Sequence, residues 1–297
     1  MDSRNSQTNL SDNNEEELIM TLQNMTMSDA SLARFQSASP KYYLPFSNDI
    51  DYWNTVKDLL APIAEGKSSI SEIIATMKKF YYMSTKIDVD LVMLKRFFEI
   101  SKPEFVQDAE KKVFPFIAKL LLKTPELFPA PIQLLVQGQR GEVVLSKEQC
   151  ACLLAHMFMG LTQRQSNYQA LHPDFSYLTT LVEDPKANYM MEKLKCIYNY
   201  FSMISEELPK QYVSFKRYVL NESAHGKTSL DDWLSCQDEL LDVTLFETGV
   251  IEDAKDAIHV DFANKYLGGG AVEAGNVQEE IMFTVAPECA VGMLFIE

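Results

Sequence analysis

Residues 260–270 read VDFANKYLGGG, and after a further seven residues positions 278–280 read QEE. The chain has eleven glycines, and four of them lie between Gly268 and Gly275. Consecutive glycines accept positive φ angles and let backbone N–H groups converge without side chains between them. Such a loop is suited to hold a diphosphate, particularly where it leads into the N-terminus of a helix. The alternative interpretation is a flexible turn that binds nothing.

Two adjacent carboxylates, Glu279 and Glu280, begin an apolar element that contains Ile281, Phe283 and Val285. Neighbouring side chains on a helix point about 100° apart, so we expect the two glutamates to perform different tasks. One is suited to protonate a leaving oxygen, and the other to bind a sugar hydroxyl. Burial, the like-charged neighbour and a bound diphosphate all favour the protonated form, so we expect a raised pKa. The alternative is that both are ordinary acids in a helical first turn.

Upstream of this stretch, residues 41–205 show the hydrophobic periodicity of helices and predict a helical domain. One predicted helix begins at Ser146, where Ser146 and Gln149 have capping-box spacing and an apolar stripe follows from Cys150. Residues 1–40 are polar and acidic and predict a disordered tail. The other predicted helices cover residues 51–64, 69–80, 88–100, 104–122 and 193–203.

Residues 206–297 have a different pattern, with short runs of β-branched and aromatic residues between polar turns. These runs predict strands over residues 211–220, 243–246 and 257–262. We place a domain boundary near residue 206. The expected fold class is α+β or α/β, with a helical accessory domain followed by an incomplete mixed sheet.

The composition excludes several classes of protein. Lys and Arg number 27 and Asp and Glu number 42, and the formal net charge of −15 disfavours binding to DNA or RNA. No apolar stretch approaches the ~20 residues of a membrane span, and the first residues lack the pattern of a signal peptide. The five scattered cysteines favour buried free thiols in a reducing compartment over a metal or redox site. We therefore expect a protein of the nucleus or cytoplasm with no membrane partner.

The stretch VDFANKYLGGG-x7-QEE resembles the signature of the poly(ADP-ribose) glycohydrolase family. Residues 249–253 (GVIED) resemble the adenine-side segment of that family, and residues 145–155 resemble a segment of its helical accessory domain. The resemblance implies a macrodomain-type fold with an exo-glycohydrolase that cuts ribose–ribose O-glycosidic bonds and releases ADP-ribose. It implies no cofactor and no metal. The partners it implies are poly(ADP-ribose), ADP-ribose and poly(ADP-ribosyl)ated proteins.

The resemblance also assigns roles by position. Glu280 matches the catalytic acid/base, Glu279 matches the neighbour that holds the ribose hydroxyls, and Asp261 matches a residue beside the terminal ribose. Glycoside hydrolases usually use two carboxylates, whereas the resemblance implies that one acid protonates the leaving oxygen and later activates water. The positions that match substrate-binding residues are Ile251 and Glu252 on the adenine side, Asn264 and Gln278 around the ribose, and Gly268, Gly269 and Gly270 in the catalytic loop.

The macrodomain of the family continues well past the QEE helix, whereas this sequence ends at Glu297. We therefore expect a chain that is C-terminally truncated relative to the family. A fragment, a short isoform and a degenerate paralogue all fit this pattern. The alternative to a glycohydrolase is accordingly a catalytically impaired protein that binds ADP-ribose or another partner.

Overall fold

The structure is a computed structural model of the chain, and it describes residues 40–162, 174–180, 187–219, 230–239 and 241–297. Of the tail predicted over residues 1–40, all but Pro40 lies outside the described residues. Residues Lys41–Glu297 group into one unit by their contacts.

Helices make up most of the described chain before residue 207, and they include each helix predicted from periodicity. The helix predicted over residues 104–122 is interrupted by a π-helical turn. In chain order the helices are α1 (Pro45–Asn48), α2 (Ile50–Ala64), α3 (Ile70–Thr85), α4 (Val92–Glu99), α5 (Pro103–Asp108), the π-helical turn (Ala109–Val113), α6 (Phe114–Leu122), α7 (Thr124–Leu127), α8 (Lys147–Met159), α9 (Ser176–Thr180), α10 (Ala187–Glu206), α11 (Leu230–Ser235), α12 (Gln278–Val285) and α13 (Glu288–Val291). Short 3₁₀ turns cover Ile251–Asp253 and Gly292–Leu294.

Helix α8 forms the centre of the core. Its capping box is confirmed, because the Ser146 hydroxyl accepts a hydrogen bond from the Gln149 N–H (3.1 Å) and the Gln149 side-chain oxygen accepts one from the Ser146 N–H (2.9 Å). Every residue from Cys150 to Met159 is buried. The helix ends at Gly160, whose φ of 78° is left-handed and whose missing Cβ leaves room for the ring of Tyr81.

The described strands form two small antiparallel sheets. β1 (Lys41–Tyr42) pairs with β2 (Ile132–Gln133), and β3 (Gly141–Ser146) pairs with β4 (Tyr212–Arg217). β4 confirms the strand predicted over residues 211–220, of which residue 220 lies outside the described ranges. The sequence-based prediction did not include β3, and it therefore missed the partner that makes β4 a strand.

The strands predicted over residues 243–246 and 257–262 are wrong. Both segments are irregular, and neither has a strand partner in the part of the chain that the structure describes. Their apolar side chains lie in solvent, with Phe246 80% and Ile258 96% exposed. A β-branched or aromatic run becomes a strand only where a neighbour pairs with its N–H and C=O groups, and sequence propensity does not supply that neighbour.

The C-terminal segment packs onto the helical part of the chain. Lys147 at the start of α8 pairs with Glu288 at the start of α13, with 2.7 Å between Nζ and Oε1. The Leu135 N–H donates to the Phe295 carbonyl (2.7 Å), and the Phe295 ring packs edge-on against Phe215 of β4. These contacts fix the position of α13 and hence of α12, which carries the QEE residues.

The cysteines are free thiols, as expected, but they are not all buried. Cys150 and Cys152 are buried, Cys196 and Cys289 are half-buried, and Cys236 is exposed. The described residues contain no cluster of three or more His, Cys, Asp or Glu side chains suited to a metal ion. Within the same ranges, no helix combines the length and hydropathy needed to cross a bilayer.

Candidate active site

A tightly turned loop connects the VDFAN segment to α12. Gly268 and Gly269 have φ angles of 81° and 48°, in the left-handed region that favours glycine. The Gly269 N–H donates to the Tyr266 carbonyl (3.1 Å), and the Ala271 N–H donates to the Gly268 carbonyl (2.8 Å). The loop is therefore held by its own backbone hydrogen bonds, which argues against the interpretation as a flexible turn.

The Glu280 carboxylate is held between the loop and the start of α12. Its Oε1 accepts a hydrogen bond from the Gly270 N–H (3.0 Å), and its Oε2 accepts one from the N–H of the N-cap residue Val277 (3.0 Å). Glu280 is 7% exposed and lies in the first helical turn. Backbone donors and the positive end of the helix dipole therefore both act on this carboxylate.

The neighbouring Glu279 carboxylate is bound by the same loop. Its Oε1 accepts from the Gly268 N–H (2.6 Å), and its Oε2 accepts from the Asn264 N–H (3.0 Å). Its side chain is 2% exposed. The N–H groups that were expected to cradle a diphosphate thus hold the two carboxylates in this structure.

Both carboxylates lie against Gly269. A Cβ at this position would be 2.6 Å from Glu280 Oε1 and 3.0 Å from Glu279 Oε2, so any side chain there would displace a carboxylate. A Cβ at Gly275 would lie 2.7 Å from Glu280 Cγ. Gly275 is a residue of the site that sequence reasoning did not include, although it is the fourth glycine of the same stretch.

The Gln278 side chain ties the VDFAN segment to α12. Its Oε1 accepts from the Phe262 N–H (2.9 Å), and its Nε2 donates to the Val260 carbonyl (3.4 Å). Gln278 therefore binds the backbone on both sides of Asp261. One carboxylate oxygen of Asp261 is buried without a hydrogen-bond partner among the described residues.

The pKa of Glu280 is shifted in the direction opposite to the one expected from the sequence. Burial pushes the pKa of Glu280 upward, but backbone donors at Gly270 and Val277 and the positive charge of Lys193 together lower it below its usual value. The expectation of a raised pKa for Glu280 is therefore wrong. Burial, Glu279 and Glu280 instead raise the pKa of Asp261.

The predicted adenine-side pair lies apart from this cluster. Ile251 and Glu252 belong to an exposed 3₁₀ turn, and no hydrogen bond within the described ranges joins either side chain to the carboxylates. Asn264 reaches the cluster through its backbone, whereas its side-chain Oδ1 accepts from the Tyr266 N–H (3.2 Å). The structure thus brings together the predicted residues between positions 261 and 280.

Lys193 of α10 also reaches the loop, and sequence reasoning did not include it. Its Nζ donates to the carbonyls of Gly270 (3.2 Å), Ala271 (3.0 Å) and Glu273 (2.9 Å). A lysine within the apolar stripe of a predicted helix is the signal that would have found it.

A cleft of about 420 Å³ opens beside the loop. It is lined by Gly269, Val272 and Glu273 of the loop and by Tyr81 and Tyr177 of α3 and α9. Gly269, against which both carboxylates lie, is thus part of the cleft wall, whereas the two carboxylates are buried behind it.

Comparison with known proteins matches two parts of the chain to domains of one enzyme family. Residues 102–217 match the helical domain of poly(ADP-ribose) glycohydrolase, and residues 230–297 match the macro-domain fold of the same enzyme. The chain belongs to the poly(ADP-ribose) glycohydrolase family. The resemblance of the QEE stretch is thereby confirmed, as is the α+β class in which a helical domain precedes a macro-fold domain. The exact domain boundary near residue 206 stays a prediction.

Named members of the family align over most of the chain. Poly(ADP-ribose) glycohydrolase 1 of Caenorhabditis elegans is 34% identical over 186 residues, which are 62% of this chain and 22% of that protein. Poly(ADP-ribose) glycohydrolase 1 of Arabidopsis thaliana is 33% identical over 216 residues, 65% of this chain and 38% of that protein. Poly(ADP-ribose) glycohydrolase 2 of Caenorhabditis elegans is 33% identical over 214 residues, 72% of this chain and 41% of that protein. The chain thus spans less than half the length of each of these curated relatives.

Proposed function

We propose that this chain acts as a glycoside hydrolase that cleaves ribose–ribose O-glycosidic bonds of poly(ADP-ribose) and releases ADP-ribose. The observation that carries the proposal is the pair of buried carboxylates, Glu279 and Glu280, held against Gly269 beside an open cleft. Membership of the glycohydrolase family supports the same reaction. The substrate is then polymer attached to poly(ADP-ribosyl)ated proteins of the nucleus or cytoplasm, and the acidic chain does not bind DNA or RNA directly.

Glu280 is the proposed acid and base. Its carboxyl donates a proton to the oxygen that links two riboses, the bond from the anomeric carbon to that oxygen breaks, and an oxocarbenium-like centre forms. A water then attacks this centre, and the Glu280 carboxylate takes the proton that the water loses. The products are ADP-ribose and a shortened polymer with a free hydroxyl, and Glu280 is again protonated.

The lowered pKa of Glu280 means that the resting carboxylate is ionised at neutral pH. A bound substrate brings the negative charge of its diphosphate and removes water from the site, and both effects favour the protonated form. We therefore propose that substrate binding, and not the resting fold, supplies the protonated acid.

The neighbouring residues position the substrate in this proposal. Glu279, fixed by the Gly268 and Asn264 N–H groups, presents its remaining lone pairs to ribose hydroxyls. The Gln278 side chain binds the backbone on both sides of Asp261, so these two residues lie together. In this proposal both line the ribose that Glu279 binds.

The direct test measures ADP-ribose released from purified poly(ADP-ribose) by the chain, beside the binding of ADP-ribose by calorimetry. Release that depends on Glu280 supports the proposal. Binding without release would favour the alternative of a catalytically silent ADP-ribose-binding protein. If the chain neither binds ADP-ribose nor releases it from polymer, both functions are excluded for this chain.

The proposed adenine contact has its own test. If Glu252 accepts a hydrogen bond from the adenine amino group, Glu252→Ala should weaken ADP-ribose binding by ~1–3 kcal/mol. Ribose-5-phosphate has no adenine, so it should bind equally to the variant and the parent. Equal weakening of both ligands would show that Glu252 supports the fold and does not read the base.

A further inference from the structure

Lys193 occupies a position where the helix pattern calls for an apolar residue. Met190, Leu194 and Ile197 lie three residues before, one after and four after it on α10, and all three are buried. Lys193 is itself only 5% exposed. Leu or Met at this position would pack in the same stripe without burying a charge, so the lysine requires an explanation.

Every N–H donor of the Lys193 ammonium group has an acceptor in the glycine loop (residues 265–277, between the VDFAN segment and α12). A lysine has three N–H donors, and the carbonyls of Gly270, Ala271 and Glu273 lie 3.2, 3.0 and 2.9 Å from Nζ. Three acceptors within four consecutive residues define the path of that segment. The space left around the lysine is a cavity of about 10 Å³, which leaves no room for a ligand.

Gly270 connects the lysine to the proposed acid. Its carbonyl accepts from Lys193 Nζ, and its N–H donates to Glu280 Oε1 (3.0 Å). Lys193 of the helical domain thus orients the peptide group that carries the Gly270 carbonyl. The adjacent peptide group carries the Gly270 N–H that binds the Glu280 carboxylate. The positive charge of Lys193 is also one of the causes that lower the pKa of Glu280.

We propose that Lys193 is a positioning residue of this site: from α10 it holds the glycine loop, and through Gly270 it holds the Glu280 carboxylate in its working position. The expected effect of Lys193 on turnover rests on the proposed function. The role of Lys193 in holding the loop and the Glu280 carboxylate does not. The helical domain, in this view, contributes a side chain that completes the macro-fold site.

Burial lowers the pKa of Lys193 to about 8, whereas Glu280 and Glu273 act in the opposite direction. Maintaining a charged lysine here is therefore costly to the fold at neutral pH. An apolar residue would avoid this cost, so the lysine is better explained by its hydrogen bonds to the loop than by a contribution to the stability of the core.

The test compares the parent with Lys193→Met and Lys193→Arg, with Lys195→Met as the control. Lys195 lies on the same helix, is half exposed and pairs with Glu192. Hydrogen exchange of the Gly268 and Gly270 amides reports the order of the loop, and carboxyl NMR reports the pKa of Glu280. Neither readout requires catalysis.

We expect loop amides in Lys193→Met to exchange at least ~10-fold faster than in the parent, with other core amides unchanged. The pKa of Glu280 should rise, because the positive charge that lowers it is removed while the carboxylates of Glu279, Asp261 and Glu273 remain nearby. Lys193→Arg keeps the charge, so it should keep the lowered pKa. Its planar guanidinium cannot place one nitrogen among three carbonyls, so loop exchange should be intermediate.

Activity adds a separate readout. If the chain releases ADP-ribose, Lys193→Met should lower kcat about 10²-fold with KM within about 3-fold. The alkaline limb of the pH profile, where the Glu280 carboxyl loses the proton that it must donate, should move to higher pH. A parent without activity would overturn the proposed function and leave the exchange and titration results to decide on Lys193. Parent-like loop exchange in Lys193→Met, or in Lys193→Arg if the Met variant does not fold, would overturn this inference.

Discussion

At the scale of single residues, Gly269 is required for two separable reasons. Its φ of 48° strains any residue with a Cβ, and that Cβ would also collide with Glu280 Oε1 at 2.6 Å. Gly138 shares the first property, with φ of 77°, but it has nothing within 4 Å of its Cβ position. The two glycines therefore form a matched pair that separates backbone strain from displacement of the carboxylate.

We expect Gly138→Ala and Gly269→Ala each to lose ~1–2 kcal/mol of unfolding free energy from the left-handed backbone. Only Gly269→Ala should displace Glu280, and its turnover should fall about 10²-fold because the acid is misplaced. Denaturant titration and ADP-ribose release, measured on both variants, check the pair. Equal activity of the two variants would mean that the carboxylate does not depend on the space at Gly269.

The residues of the site are predictable from the sequence where the signal is local. The spacing of GGG and QEE, with DFAN in register before it, identifies Glu279 and Glu280 as candidates. The direction of the Glu280 pKa is not predictable in this way, because the groups that lower it are donors at Gly270 and Val277 and a lysine of another domain. Those groups meet the carboxylate only after the chain folds.

At the scale of elements, helices and strands differ in how far the sequence specifies them. Helix α8 carries its own signals, a capping box at Ser146 and a continuous apolar stripe, so its start was predicted correctly. Strand β3 is a strand because it pairs with β4, some seventy positions later in the chain. The runs at residues 243–246 and 257–262 have similar composition but no such partner in the described chain.

The cap of α8 gives a prediction at this scale. Ser146→Ala removes the acceptor for the Gln149 N–H and should lower the unfolding free energy by about 1 kcal/mol. Ser71→Ala, at an exposed position in the first turn of α3, should change it by less than about 0.5 kcal/mol. Thermal and urea unfolding of both variants provide the measurement, and equal destabilisation would argue that the cap adds nothing.

At the scale of the whole molecule, two lysines of the helical domain hold the segment that carries the candidate site. Lys147 binds Glu288 at the start of α13, and Lys193 binds the glycine loop. Neither connection is visible in the sequence, because each joins residues that are far apart along the chain. The macro-fold part is consequently placed by its contacts with the helices.

The pH dependence of stability follows from Lys193. Its pKa is about 8 in the folded chain and 10.5 when unperturbed, so between these pH values the unfolded chain binds more protons. Raising the pH through this window therefore stabilises the folded state by up to ~3.5 kcal/mol, at about 1.4 kcal/mol per pH unit. The unfolding free energy of the parent should rise relative to that of Lys193→Met between pH 8 and 10.5. Parallel curves for the two proteins would contradict a lowered pKa.

The most direct test of the central claim, that Glu280 is the acid and base of a glycohydrolase site, is the turnover of Glu280→Gln. Glutamine keeps the shape and an acceptor for the Gly270 N–H but cannot transfer a proton. Glu126→Gln, at an exposed position of α7, serves as the control. We expect ADP-ribose release to fall ~10²–10⁴-fold in Glu280→Gln and to stay at the parent rate in the control, with ADP-ribose affinity within a few-fold in both. Parent-like release by Glu280→Gln would place the catalytic proton on another residue and contradict the claim.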